Sequence, residues 1–180
     1  MIITLAQVKS LLNIQNTSKD PLIGVLIPEV EAKYLQIRNI PFMQILADTN
    51  SGDKTISNIR IYPEQVLYGY NSSAASYLNR LEYLYSSAID NYITDIDSNN
   101  NTVEIDTAAS ATAKDVVFTV YPQGSKMVAA KLVQYLMNSN SMNGLSSETV
   151  GSYSWSKGDN SNPFGVPNDI FKSITRYINA

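Results

Sequence analysis

The sequence contains neither cysteine nor histidine. The first absence excludes disulfide frameworks, cysteine-ligated zinc, iron–sulfur clusters and thiol nucleophiles. The second removes the usual general base, the commonest transition-metal ligand and any Ser–His–Asp triad. Charge is scarce as well: 16% of residues are Asp, Glu, Lys or Arg, where a soluble domain typically carries about 25%. No apolar run reaches the roughly 18 residues that suggest a membrane-spanning helix. The opening Met1-Ile2-Ile3-Thr4-Leu5 has neither the basic region nor the cleavage site of a signal peptide, so synthesis into the cytosol is expected. A net charge of −3 and a pI near 4.9 argue against broad binding to phosphate backbones. No enzyme activity, cofactor or metal is expected.

What is present is uncharged polarity. Among 180 residues there are 21 Ser, 18 Asn and 12 Tyr. The length suits one domain, or one domain carrying an insertion, with chain enough to bury a core. A surface so weakly charged has little electrostatic protection against association, which points to assembly into something larger.

The two ends read as helix. Thr4 and Gln7 fit a capping box, and Leu5, Val8, Leu11 and Leu12 follow at helical spacing. After a polar break over 13–19, Asp20-Pro21 fits an N-cap followed by a proline at the first helical position. Leu22, Leu26, Val30, Tyr34 and Ile37 then mark one face of a helix reaching about Arg38. Pro28 lies inside it and Gly24 stands four residues earlier, so a kink is expected. Beyond Pro122-Gln123-Gly124, Val128, Leu132, Val133, Leu136 and Met137 form a further apolar stripe. A polar loop is expected over 139–147. A half-exposed strand at 150–156 and a second polar loop at 157–165 follow. The last helix begins at Val166-Pro167, with Ile170, Phe171, Ile174, Tyr177 and Ile178 on one face.

Between these ends the period changes. Residues 48–53 read as a turn or loop, and Ile59-Arg60-Ile61-Tyr62 before Pro63 as a short strand. Residues 72–88 fit helix or strand equally. Tyr92-Ile93-Thr94-Asp95-Ile96, Thr102-Val103-Glu104-Ile105 and Val116-Val117-Phe118-Thr119-Val120-Tyr121 all read as strands. The expected fold class is therefore α+β. A helical core from 1–41 and 122–180 would carry an inserted β-rich module over 42–121.

Three patterns could carry chemistry. Asp95, Asp97, Asn99 and Asp106 occupy positions 1, 3, 5 and 12 of a calcium-loop spacing. Asn100 stands where that loop needs Gly, Asp106 is shorter than the usual Glu, and the flanks are strand-like, so a hairpin turn is the favoured reading. Tyr62, Tyr68, Tyr70, Tyr77, Tyr83, Tyr85 and Tyr92 could stack on sugars or single-stranded nucleic acid. Only Lys54, Arg60 and Arg80 accompany them, which disfavours nucleic acid and leaves packing or subunit contact as the leading reading. Glu82 and Asp90 could in principle serve as a glycosidase pair, but solvated surface charge is the default for such residues.

Two blocks carry a family likeness. The first is Ile3-Thr4-Leu5-Ala6-Gln7-Val8-Lys9 with Leu11-Leu12, a polar gap and the helix from Leu22 to Tyr34. The second is the 129–137 helix, then Ser146-Ser147-Glu148-Thr149-Val150-Gly151-Ser152-Tyr153-Ser154, a polar loop and the proline-initiated last helix. Together they resemble the head–tail connector (head-completion or adaptor) proteins of tailed bacteriophages. That resemblance implies a small helical bundle of connector type forming a ring, usually a dodecamer, in the virion neck. The ring would sit between the portal protein and a tail-side stopper or tail-terminator protein, after assembly in the host cytoplasm. DNA would pass through an acidic lumen without specific binding. On this reading Ile170, Phe171, Ile174, Tyr177 and Ile178 contact the portal, and Ser146, Glu148, Tyr153 and Trp155 lie between subunits. The alternative is a virion component whose Tyr-rich β module binds a glycan or another protein.

Overall fold

The computed structural model describes residues 1–39, 41–63, 75–86, 89–141, 147–150, 153–156 and 165–174, with backbone alone for 139–141, 147–150 and 153–156. The chain divides into two compact units, Phe42–Gln123 on one side and Met1–Pro41 with Gly124–Ala180 on the other.

In the unit that holds both chain ends, α1 spans Leu5–Leu11. Its capping box is complete: the Gln7 amide donates to Thr4 Oγ1 at 3.3 Å and the Thr4 amide to Gln7 Oε1 at 3.0 Å. The second helix, α2, spans Asp20–Arg38. Asp20 is its first helical residue rather than its cap. Its carboxylate takes Lys9 Nζ at 2.8 and 3.1 Å, tying α2 to α1. The buried face of α2 is Ile23, Leu26, Ile27, Val30, Tyr34 and Ile37, whereas Leu22, expected on that face, is 39% exposed. Pro28 is accommodated inside the helix, which ends at Asn39 in the left-handed region.

Helix α3 spans Ser125–Ser141 and buries Ala129, Ala130, Leu132, Val133 and Met137. It packs against both α1 and α2. A hairpin of β7 (Ser147–Val150) and β8 (Tyr153–Ser156) follows, then α4 (Asn168–Ser173), which packs on α3. That last helix is shorter than its apolar spacing suggested. Ile174 has already turned to extended backbone (ψ 117°), so the helix stops there.

The other unit is a closed antiparallel barrel. Its strands are β1 (Met43–Thr49), β2 (Thr55–Ile61), β3 (Tyr83–Tyr85), β4 (Asp90–Asp97), β5 (Thr102–Ile105) and β6 (Ala113–Tyr121). They run round the barrel in the order β1-β2-β5-β4-β3-β6, and β6 closes it against β1. Closure removes the unpaired edges that make open sheets prone to association. Met43 pairs with Val120, and the Phe42 and Tyr121 rings meet edge-on at 4.7 Å, so the two ends of this unit lie side by side.

Inward side chains alternate along β1 and β5. Met43, Ile45, Ala47, Ile56, Ile59, Ile61, Leu84, Ile93, Val103, Ile105, Phe118 and Val120 form one continuous core, with Phe118 fully buried. A barrel this narrow is filled by its own side chains. Among the described residues the inward side chains form a packed apolar core.

These observations overturn the expected fold class. The chain is sheet-rich and contains a closed six-stranded antiparallel barrel; it is not a small helical bundle of connector type with an inserted β-rich module. The physical reason lies in the bulges. In β1–β2 the register slips between Leu46 and Asp48, and in β1–β6 between Ala47 and Thr49. Each slip accommodates an extra residue on the partner strand, and a one-residue insertion flips the inward set to the other face. Asn58 (φ 53°) and Asp115 (φ 54°) sit in the left-handed region at these slips. The burial of Ile56 and Ile59, three apart rather than two, is the direct result. Strict alternation therefore fails in β2, and β1 runs through Asp48-Thr49, where turn composition pointed to a loop.

Candidate functional site

The residues expected at a portal contact divide. Ile170 and Ile174 are buried within their own unit, at 5% and 2% exposure, and Phe171 is half-buried. Tyr177 and Ile178 lie outside the described residues. Of the expected inter-subunit set, Ser146 also lies outside them. Glu148, Tyr153 and Trp155 belong to the β7–β8 hairpin, where Glu148 is the register partner of Trp155 and Val150 of Tyr153.

The calcium-like spacing forms a hairpin turn. Asp97 Oδ1 accepts from the Asn99 and Asn100 amides at 2.9 and 3.1 Å, and its Oδ2 accepts from the Asn100 side chain at 2.6 Å. The Asn100 contacts lower the Asp97 carboxyl below its ordinary value, the backbone bond most strongly. Asp95 is turned away from that loop. It accepts from the Ile96 amide at 2.9 Å and pairs with Arg80, and both contacts lower its carboxyl. Asp106 accepts from the Tyr92 amide at 3.1 Å. Among the described residues no group of three or more acidic side chains is placed to hold a metal ion. Glu82, one half of the notional glycosidase pair, has both carboxylate oxygens on Asn79, at 2.8 and 3.3 Å.

Among the described residues, Tyr83 and Tyr85 meet different ring partners. Tyr83 and Tyr92, register partners on β3 and β4, place their ring centroids 4.1 Å apart, and the Tyr83 hydroxyl donates to that of Tyr92 at 2.6 Å. Burial and this hydrogen bond push the Tyr83 phenol well above its ordinary range, with Asp90 and Asp106 adding to the effect. Tyr92 remains 40% exposed. Tyr85 instead meets Tyr121 at 6.1 Å. Tyr68 and Tyr70 lie outside the described residues.

A polar cleft across β1, β2 and β6 was not anticipated from the sequence. Asp48, Asn58, Arg60, Asn101, Lys114 and Asp115 line it, around a volume of about 400 Å³. Asp48 is its organising residue. Its Oδ2 accepts from Asn58 Nδ2 at 2.7 Å and its Oδ1 from the Asp115 amide at 3.0 Å. These bonds hold the Asp48 carboxyl below its usual value, the Asn58 contact contributing most. One carboxylate thus bridges both bulged strands. Arg60 pairs with Asp115, and Asn101 Nδ2 donates to the Ile59 carbonyl at 2.7 Å. The sequence signal that could have found this cleft is the failure of alternation at Asn58 and Asp115, since Asn and Asp are the residues that tolerate left-handed backbone.

No protein-family model matches this chain, and no curated protein matches it.

Proposed function

We propose that this chain is a structural, non-catalytic component of a tailed-phage neck: a head–tail connector that assembles into a ring between portal and tail. One observation carries the reading. The two sequence blocks that resemble connectors are separated by the whole barrel, yet they belong to a single compact unit in which α3 packs on α1 and α2 and leads to the β7–β8 hairpin and α4. The packed apolar core of the barrel's described residues suits a structural role. In the ring, the buried Ile170 and Ile174 anchor α4 in its own subunit, and portal contact falls to the chain beyond them. The acidic pI lets DNA pass through the lumen without adhering.

The test is the native mass of the purified chain, alone and mixed with a cognate portal protein. A ring, or a ring formed on the portal, supports the connector. A chain that stays monomeric at high concentration and ignores the portal contradicts it. A second reading, a barrel that recognises a glycan or another virion protein, is favoured by the Tyr83–Tyr92 pair, in which Tyr92 is 40% exposed. Loss of a virion contact in Tyr92→Ala, with ring formation intact, would support it.

A further inference from the structure

We propose that the polar cleft across β1, β2 and β6 is a carbohydrate site that takes a neutral sugar through its hydroxyl groups. Among the described residues, the lining side chains leave several polar groups uncommitted. Asn58 uses its amide nitrogen on Asp48, and Asn101 uses its own on the Ile59 carbonyl, so both side-chain oxygens remain available as acceptors. Asp115 engages one carboxylate oxygen with Arg60 and keeps the other. Arg60 donates through Nε and one terminal nitrogen, leaving its second terminal nitrogen. Lys114, half of no hydrogen bond or ion pair among the described residues, adds an ammonium. Donors and acceptors are therefore interleaved in one small cleft.

The charge balance selects the ligand. Asp48 and Asp115 carry negative charge, and Arg60 and Lys114 carry positive charge. A divalent cation would meet the two cations, and a phosphate would meet the two carboxylates. A sugar hydroxyl both donates and accepts, so it can use either kind of neighbour without bringing a net charge. The cleft's volume falls within the roughly 300–1,000 Å³ usual for small-molecule sites. Its geometry is set in advance, because Asp48 locks the side chain of Asn58 and the backbone of Asp115 at the two bulges. No aromatic ring is among the described residues that line the cleft, so one sugar should bind with a dissociation constant on the order of millimolar. This site is distinct from the Tyr83–Tyr92 pair and does not depend on ring formation.

The experiment is a titration of the intact chain followed by amide NMR. The probes are the methyl glycosides of glucose, galactose, mannose and N-acetylglucosamine, with calcium chloride and inorganic phosphate titrated separately. The expected result is saturable shifts at the amides of Asp48, Asn58, Asn101, Lys114 and Asp115 with at least one glycoside. Lys114→Met, which removes an exposed side chain that makes no hydrogen bond or ion pair among the described residues, should weaken that binding about tenfold, and Tyr92→Ala should leave it unchanged. No shift at these amides with any glycoside at concentrations far above millimolar overturns the proposal. So do shifts centred on Tyr83 and Tyr92, or a response to calcium or phosphate in place of sugar.

Discussion

The two units of this chain solve the same burial problem with opposite kinds of contact. In Met1–Pro41 with Gly124–Ala180, order begins locally. A capping box starts α1, an α1–α2 ion pair fixes the next start, and apolar residues at helical spacing cover one another. In Phe42–Gln123, three neighbouring-strand pairings (β1–β2, β3–β4 and β4–β5) are local, but three others join distant segments and close the barrel: Gln44 pairs with Thr119, Thr55 with Glu104, and Leu84 with Val120. Such a structure gains little until its non-local pairs form. Its bulges are also kept in place by side chains from other strands, as Asp48 shows. The helical unit is written in short-range signals; the barrel is written in pairings.

The largest effect that sharpens this contrast is expected in the barrel core. Phe118 is fully buried among residues from the other strands, so Phe118→Ala should cost about 3–5 kcal/mol. Urea unfolding should show it, with amides of the barrel losing hydrogen-exchange protection before those of α2 and α3. Equal loss in both units would show that they unfold as one, and would remove the distinction.

The next effect is conformational. Asn58→Ala places a β-carbon-bearing residue without a side-chain acceptor or donor at φ 53° and removes the bond to Asp48. A cost of about 1–3 kcal/mol is expected. Asn58→Gly, which tolerates the backbone but also lacks the bond, should recover roughly half of it. If both variants melt alike, the left-handed backbone is not what Asn58 contributes.

In the helical unit the corresponding local test is Thr4→Ala. It breaks the capping box and should cost about 1 kcal/mol. Helical circular dichroism should fall slightly while the barrel amides stay where they are.

The smallest effect is a pH dependence whose acid side comes from barrel carboxylates. Asp48, Asp95 and Asp97 all have carboxyls lowered by hydrogen bonds in the folded chain. A lowered folded pKa means that the contribution is present above the unfolded carboxylate value and lost as the pH falls through the folded ones. Melting temperature should therefore decline below about pH 4, and Asp48→Asn should flatten that decline. At the other extreme, Tyr34 and Tyr83 are raised by burial. Their contribution is present below the ordinary tyrosine value and lost above it, so ultraviolet titration should find tyrosines that resist ionisation beyond about pH 10.

The same contrast explains what could be read from the amino-acid order. Thr4 and Gln7, the Ala129–Met137 stripe and the strand at 102–105 were legible because each is a short pattern repeated without interruption. Strand β1 was not, because Leu46 breaks the alternation and Asp48-Thr49 has the composition of a turn. Closure was not legible either, since the β6–β1 pairing joins residues more than sixty positions apart and leaves no local trace. At the last helix the periodic signal ran past the structural one: Ile170 and Ile174 keep their spacing, but the backbone leaves the helix at Ile174. The polar cleft was invisible for a related reason. Its six residues come from three strands and the turn at Asn101, and only the bulges bring them together.

The central claim is that Phe42–Gln123 is a self-closed barrel whose ends meet, set into a chain whose outer segments form their own unit. The most direct measurement takes residues 42–123 alone and records circular dichroism, amide NMR and urea unfolding. The account predicts a β-type spectrum, dispersed resonances that match those of the whole chain, and one cooperative transition. A fragment with collapsed dispersion and no transition would contradict it, and would make the barrel dependent on the helical unit for its fold.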